Sequence, residues 1–184
     1  MIKPIEIKNF ISHEECDSII GLSDNIGFKP AKSVYEGNVI DNFDFNKREI
    51  AYIKSNNFNE VFKNLSNNVL NKINSLNIFK GLKYDNILEF YFNKYSEDNY
   101  INYHFDGDEI KYGATITIVL ELSNNYDGGE FCYIYNDEET QFEKGKGSLY
   151  IFDSNTEHKI NPIKNGIRYS INCWPKYTIK KTLT

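Results

Sequence analysis

The chain has few of the residues that build covalent frames or metal–thiolate sites. Its 184 residues include only three cysteines, Cys16, Cys132 and Cys173, and no two of them form a CxxC pair. An odd number of scattered cysteines argues against a disulfide framework and against a zinc–thiolate site. The cysteines therefore predict reduced thiols in a cytoplasmic protein.

Long apolar runs and clustered positive charge are also missing. No stretch approaches the ~20 apolar residues that a membrane-spanning helix needs, and the first residues lack a signal-peptide pattern. The formal net charge is −5 and the lysines are scattered among acidic residues, whereas a nucleic-acid surface needs clustered Lys and Arg. The sequence therefore predicts no membrane partner and argues against nucleic acid as a partner.

The residues of a folded core are abundant. Hydrophobic residues make up 40% of the chain and aromatic residues 15%, which suits a soluble protein with one buried core. We expect a single domain over residues 1–184, with a helical support region over 1–82 and a strand-rich core over 83–184.

Two helices are predicted in the support region. Ser12 and Glu15 have the spacing of a capping box, which predicts a helix from about His13 to Asp24. Apolar residues then recur at helical spacing over 57–79, which predicts the longest helix of the chain. Both helices are expected to pack on one sheet.

From residue 83 onward, short strand-like segments alternate with turn-forming residues. Many short strands at regular spacing are typical of a sandwich or jelly roll, so the fold class is predicted as α+β with a jelly-roll core. The expected strands cover 87–92, 100–105, 114–122, 129–135, 148–152, 158–163 and 169–174.

Histidine is rare, and two of the three histidines form a pattern with Asp106. His104 and Asp106 are two residues apart on a predicted strand, so they project from the same face. Together with His158, at the start of a later strand, they could fill one face of an octahedral metal, as in the 2-His-1-carboxylate sites of Fe(II) oxygenases. An HxD pair alone is a weak signal, and the alternative is two ordinary histidines beside a strand-end carboxylate. His13 is left out because it lies in the first turn of the capped helix.

Two further residues bear on this pattern. Asp108 is a rival to Asp106, but it follows Gly107, where the chain is expected to turn. Arg168 is one of only two arginines and comes ten residues after His158, at the same strand parity. Because arginine holds a carboxylate with a planar pair of donors, it predicts an anchor for a dicarboxylate near the metal. The alternative is a surface charge near a turn.

The segment from Tyr95 to Trp174 resembles the 2-oxoglutarate- and Fe(II)-dependent dioxygenases of the prolyl 4-hydroxylase type, in particular small microbial or viral hydroxylases. The resemblance implies a double-stranded β-helix, the name of the jelly roll in that family. It extends to the opening residues Asn9–Cys16 and is weakest over 28–80. It rests on Tyr95, the HxD pair, Ala114–Leu120, Tyr126–Glu130, Lys146–Leu149, His158–Ile163, Gly166–Ser170 and Trp174.

The resemblance implies an oxidoreductase, a dioxygenase that hydroxylates an unactivated C–H with Fe(II), 2-oxoglutarate and dioxygen, and with ascorbate as an optional addition. His104, Asp106 and His158 would ligate the iron. Arg168 would bind the distal carboxylate of 2-oxoglutarate, with Tyr95 and Thr117 as further cosubstrate contacts. The residues implied for the pocket or the substrate are Tyr100, Tyr112, Val119, Phe131 and Trp174.

The substrate is the least determined part. Phe131 stands where prolyl 4-hydroxylases often carry a hydroxyl, so one cosubstrate contact is lost or replaced. Tyr100 and Tyr112 could stack on a proline ring, or they could simply pack across strands. We expect a prolyl residue of a peptide or protein, with a free amino acid or other small molecule and a non-catalytic jelly-roll binding module as alternatives. The polar loop 41–48 is the predicted lid.

Overall fold

The structure, a computed structural model, describes residues 2–35, 38–40, 45–78, 81–106 and 116–179. Tyr112, Asp108 and Thr115 lie outside these ranges, as does the first half of the predicted lid. Within the described ranges, no helix combines the length and apolar character needed to cross a bilayer.

The first helix, α1, spans His13–Asp24, as predicted. Its capping box is complete: the Ser12 hydroxyl accepts the Glu15 N–H at 3.1 Å, and the Glu15 carboxylate accepts the Ser12 N–H at 2.8 Å. These bonds satisfy two amides that the first turn cannot pair internally. Cys16 and Ile19 form the buried side of the helix.

The second helix, α2, spans Glu60–Leu76 and is shorter than the predicted range of 57–79. The Asn59 side chain accepts the Phe62 N–H and begins the helix after a single 3-10 turn over Ser55–Asn57. Asn77 ends the helix in the left-handed conformation at φ 48°, a geometry that asparagine adopts more readily than most residues. Side-chain capping, which apolar periodicity does not encode, therefore decides both ends.

The rest of the structure is made of strands. They are β1 Ile5–Ile7, β2 Lys29–Pro30, β3 Ser33–Tyr35, β4 Asn38–Ile40, β5 Asn46–Lys47, β6 Glu49–Lys54, β7 Leu82–Asn86, β8 Glu89–Tyr95, β9 Tyr100–His104, β10 Ile116–Glu121, β11 Tyr126–Gly128, β12 Phe131–Tyr135, β13 Glu138–Gln141, β14 Leu149–Asp153, β15 His158–Ile160, β16 Ile163–Gly166, β17 Arg168–Cys173 and β18 Lys176–Ile179.

Two antiparallel sheets dominate the architecture. The major sheet has the order β1-β14-β10-β17-β8-β6-β2, and the minor sheet the order β13-β12-β15-β9-β5. Three two-stranded ribbons, β11-β16, β18-β7 and β3-β4, complete the strands that the described residues form. Strands β1, β2, β5 and β6 come from the N-terminal region, so this region contributes strands as well as helices.

The major sheet is covered on both faces. On its outer face, Ile116, Ile118 and Leu120 of β10 join one buried cluster with apolar residues of both helices. On its inner face, Val119 belongs to a second cluster that also contains Phe131 of the minor sheet. This is why all six residues of β10 are buried, including the polar Thr117 and Glu121. The predicted jelly roll with helices on one sheet is confirmed.

Candidate metal and carboxylate site

Two neighbouring strands of the minor sheet bring the two site histidines together. His104 on β9 and His158 on β15 are directly opposite in the antiparallel register, and their ring centroids lie 4.1 Å apart. Asp106 follows β9 by two residues, and its backbone N–H donates to the Ser154 carbonyl at 3.0 Å. The loop after β14 therefore fixes the carboxylate beside the imidazoles.

The three side chains form a compact donor cluster. One ligand atom from each of His104, Asp106 and His158 lies within 4.8 Å of the other two. The Nε2 atoms of His104 and His158 are 3.7 and 3.6 Å from the two Asp106 carboxylate oxygens. His158 is buried, whereas His104 and Asp106 are partly exposed, so the cluster has one open side.

Both imidazoles are held in the orientation that metal binding requires. The Nδ1 atom of His104 lies 2.9 Å from the Asn102 carbonyl, and that of His158 lies 2.8 Å from the Thr156 carbonyl. Nδ1–H donation to these carbonyls leaves each Nε2 lone pair directed at the cluster. Burial and the neighbouring His158 lower the pKa of His104 to about 4, so this ring is neutral near pH 7. Two imidazoles and one carboxylate are a donor set that suits Fe(II).

The carboxylate of Asp106 is held in turn by Thr117 on β10. The Thr117 hydroxyl donates to Asp106 Oδ2 at 2.8 Å and accepts the Trp174 indole N–H at 3.1 Å. In the structure Thr117 therefore contacts a residue of the donor cluster, and its expected contact with the cosubstrate stays a prediction. Trp174 was expected to line the pocket. Its ring packs edge-on against Tyr91, with the ring centroids 5.2 Å apart, and its N–H orients the Thr117 hydroxyl.

The inner face of β10 connects the donor cluster to Arg168. Thr117, Val119 and Glu121 alternate along this face, and four strand residues cover about 13 Å. Thr117 lies at the metal end, buried Val119 in the middle, and Glu121 at the other end beside Arg168.

Arg168 is buried and ion-paired, not a surface charge. Its Nε and one terminal nitrogen both donate to Glu121 Oε2, at 3.0 and 2.7 Å, and its other terminal nitrogen lies 3.4 Å from the Ser170 hydroxyl. The Arg168 and Glu121 side chains are only 1% and 2% exposed. Burial by itself would lower the pKa of Arg168, but the adjacent Glu121 carboxylate raises it above its ordinary value. The guanidinium therefore stays charged.

Sequence reasoning missed Glu121. The available signal was a carboxylate inside the apolar run of 116–122, because acidic residues are rarely fully buried without a partner. The partner itself is 47 residues away and could not be found from that signal.

Two aromatic residues flank the arginine. Tyr95 on β8 is the cross-strand partner of Arg168, and the Arg168 Cζ atom lies 5.2 Å from its ring centroid. Phe131 lies between the two ends of the site, 5.9 Å from Arg168 Cζ and 5.7 Å from the His158 ring. The Cζ atom of the other arginine, Arg48, lies 6.0 Å from the centroid of the same Tyr95 ring.

Tyr100, another expected pocket residue, is partly exposed on β9. It pairs with Lys47 of β5, at the C-terminal end of the predicted lid. Its expected role in the pocket stays a prediction.

The fold and the donor cluster together define a jelly-roll protein with a candidate facial metal triad. Residues 90–176, which include the three donors and Arg168, match the model of the 2OG-Fe(II) oxygenase superfamily. The match covers nearly half of the chain and shows that these residues are similar to that superfamily. Fe(II) and 2-oxoglutarate are the cofactors that this similarity and the triad imply.

The curated relatives are PKHD-type hydroxylases. One from Prochlorococcus marinus is 29% identical over 132 residues, which are 70% of this chain and 60% of that protein. One from Alteromonas mediterranea is 27% identical over 120 residues, 60% of this chain and 53% of that protein. The chain thus spans little more than half the length of these relatives.

Solved structures share the fold at low identity. A Pseudomonas putida prolyl-4-hydroxylase superposes with a TM-score of 0.72 at 17% identity, over 94% of this chain and 91% of that one. A viral collagen prolyl hydroxylase from Paramecium Bursaria Chlorella virus-1, in a 2OG complex, gives 0.72 at 19% identity, over 96% of each chain. At such identities the likeness shows the fold alone.

Proposed function

We propose that this chain is an Fe(II)- and 2-oxoglutarate-dependent dioxygenase that hydroxylates an unactivated C–H. The observation that carries the proposal is the convergence of His104, Asp106 and His158, with ligand atoms within 4.8 Å, inside a jelly roll of this superfamily. The iron, when bound, would supply the activation of dioxygen, coupled to oxidative decarboxylation of 2-oxoglutarate. We treat residues 1–184 as one functional domain.

The protein's own residues would hold and orient the reactants. The two imidazoles and Asp106 would bind one face of the metal, and the carbonyls of Asn102 and Thr156 would keep the rings aimed at it. Arg168 would hold the distal carboxylate of 2-oxoglutarate, with Ser170 and Tyr95 beside it. Val119 and Phe131 would wall the space between the two ends and exclude water.

We propose a prolyl residue of a peptide or protein as the substrate. Relatives in sequence and structure carry the names of PKHD-type and prolyl hydroxylases, and the open side of the site offers aromatic faces. Tyr52, Tyr91 and Trp174 form an aromatic strip across β6, β8 and the end of β17, with centroid distances of 6.0 and 5.2 Å. Tyr52 is 54% exposed at its outer end, and Trp174 bonds Thr117 at the inner end. Such a surface suits a proline-containing peptide, because proline side chains pack against aromatic rings.

Succinate formation tests this function. The chain should release succinate from 2-oxoglutarate with Fe(II), and a proline-containing peptide should increase the rate and gain 16 mass units through one added oxygen. His104→Ala should lose both signals, and His13→Ala is the matched control because His13 is exposed on α1. Stimulation by a free amino acid and not by peptides would favour the small-molecule alternative. Absence of both turnover and Fe(II) binding would favour a non-catalytic module.

A further inference from the structure

The arginine assigned to the cosubstrate already holds a carboxylate in the structure. Glu121 Oε2 accepts two hydrogen bonds from Arg168, and both side chains are almost fully buried. A distal carboxylate of 2-oxoglutarate would therefore be the second anion at one buried cation. Two carboxylates that share a buried site cannot both stay ionised at low cost, so one of them takes up a proton.

The surroundings of Glu121 favour its neutral form once Arg168 is shared. Its Oε1 atom is buried and has no hydrogen-bond partner within the described part of the chain. Burial raises the pKa of Glu121, and Arg168 opposes that rise most strongly, with smaller contributions from the Tyr126 hydroxyl and from Lys144. Loss of part of the Arg168 interaction to a ligand would therefore raise this pKa further.

The charged and titratable groups around Glu121 and its partner Arg168 come from four strands, one helix and one loop. They are Arg168 of β17, Tyr95 of β8 beside Arg168, Tyr126 of β11, Tyr150 of β14, Cys16 of α1 and Lys144 after β13. Burial raises the pKa values of Tyr126 and Tyr150, so both phenols stay protonated. Lys144 Nζ donates to the carbonyls of Tyr126 and Gly128 at 2.9 and 3.1 Å. Arg168 is thus the one cation that touches Glu121 among the described residues.

A cavity beside Glu121 gives protons access to it. The cavity has a volume of about 210 Å³, and its walls include Glu121, Tyr126, Glu130, Lys144 and Tyr150. One water needs only roughly 10–15 Å³ of such space, so a chain of waters fits between Glu121 and the ionisable groups of the wall.

We propose that Glu121 takes up one proton when 2-oxoglutarate binds and then donates its O–H to the cosubstrate. The distal carboxylate of 2-oxoglutarate replaces Glu121 as the ionic partner of Arg168. The proton comes from solvent, the bond formed is the O–H of Glu121, and nothing is oxidised or reduced. This inference rests on the proposed function and makes Glu121 the residue that links cosubstrate binding to pH.

The linkage has a defined sign. The pKa of Glu121 is higher in the complex than in the free protein, so affinity for 2-oxoglutarate falls as pH rises between the two values, by up to about tenfold per pH unit. A 2-oxo acid without a distal carboxylate leaves the ion pair of Glu121 and Arg168 intact. Its binding should therefore take up no proton at Glu121.

Calorimetry of the full chain, loaded anaerobically with Mn(II), tests the inference. 2-Oxoglutarate and 2-oxopentanoate, which have equally long carbon chains, are titrated in two buffers of different ionisation enthalpy at several pH values. We expect uptake of about one proton with 2-oxoglutarate and none with 2-oxopentanoate. Glu121→Gln, which can donate an N–H without taking up a proton, should abolish the uptake and tighten 2-oxoglutarate binding about tenfold at the upper end of the pH range.

Each outcome decides the matter. Binding of 2-oxoglutarate without proton uptake, equal uptake with both ligands, or unchanged uptake in Glu121→Gln would overturn the inference and leave the proposed function standing. If neither 2-oxo acid binds the Mn(II)-loaded chain, the proposed function fails together with the inference. Should Glu121→Gln not fold, the comparison of the two ligands on the unaltered chain still gives the answer.

Discussion

The two ends of the space between the sheets differ in how their charges are balanced. At the metal end, two imidazoles and Asp106 converge with no protein cation hydrogen-bonded to Asp106 among the described residues, and the cluster is partly open. At the other end, Arg168 is matched by Glu121, and both side chains are almost fully buried. The metal end therefore needs a cation to be complete, whereas the arginine end is already neutral. An anionic ligand must change the charge of the second end in order to bind there.

The largest expected effect is at the buried Arg168–Glu121 pair. Arg168→Leu would leave Glu121 buried without its partner and should reduce the free energy of unfolding by about 3–5 kcal/mol. Chemical denaturation of the metal-free chain measures this. The double variant Arg168→Leu/Glu121→Leu is the control, because it buries no charge and should recover most of the loss. Equal instability of the single and double variants would mean that packing, and not charge, dominates this end.

At the metal end, substitutions should change the affinity for metal more than the free energy of unfolding. His158→Ala removes one of three ligands and should weaken Fe(II) or Mn(II) binding by at least about 100-fold, beyond the range typical of residues that only support a ligand. Calorimetric titration of metal into the variant measures the loss. His13→Ala should bind metal like the unaltered chain, and a similar loss in both variants would contradict the assigned triad.

A substitution of Thr117 tests whether β10 holds the metal ligand Asp106 in place. Thr117→Val keeps the shape but removes the hydrogen bond to Asp106, and should weaken metal binding by about 10- to 100-fold. Thr117→Ser should restore most of the affinity because it keeps the hydroxyl, and Thr178→Val on exposed β18 should have no effect. If Thr117→Val instead changes only the affinity for 2-oxoglutarate, the residue contacts the cosubstrate and not the ligand Asp106.

The smallest effect is expected on the aromatic strip. Tyr52→Ala should raise KM for a proline-containing peptide about 2- to 10-fold, the value of one aromatic contact, with unchanged kcat and unchanged 2-oxoglutarate affinity. Steady-state kinetics separate these quantities. Tyr135→Ala on the minor sheet is the matched control. An equal increase in KM for both variants would show that the peptide does not bind at the aromatic strip.

Several features of the fold could be predicted because their causes are local. The capping box around Ser12 determined the start of α1 exactly as expected, and alternation with turn residues located most core strands. Strand β6, over Glu49–Lys54, was missed because its stability comes from pairing with β8 along its whole length and not from its own composition. The end of α2 was misplaced for a similar reason, since Asn77 adopts a left-handed conformation that apolar spacing does not encode.

The candidate site likewise has features that the sequence predicted and contacts that it could not predict. The two-residue spacing of His104 and Asp106, the scarcity of histidine and arginine, and the flanking motifs were enough to predict which residues would carry chemistry. Their relation to Thr117 and Trp174 was not predictable, because it depends on how the end of β17 lies against β10.

The amino-acid sequence by itself determined the class of this protein: a jelly roll with helices on one sheet, and a short His–Asp pair with a distant His and Arg. These features are written in local spacing and composition. Only the tertiary structure decided that Arg168 is paired with Glu121, because the register between β10 and β17 brings together two residues that are far apart in the chain. That register places the Glu121 carboxylate where the distal carboxylate of the cosubstrate is expected to bind. The physical reason for the pair is that a buried cation is stable only with an anion beside it.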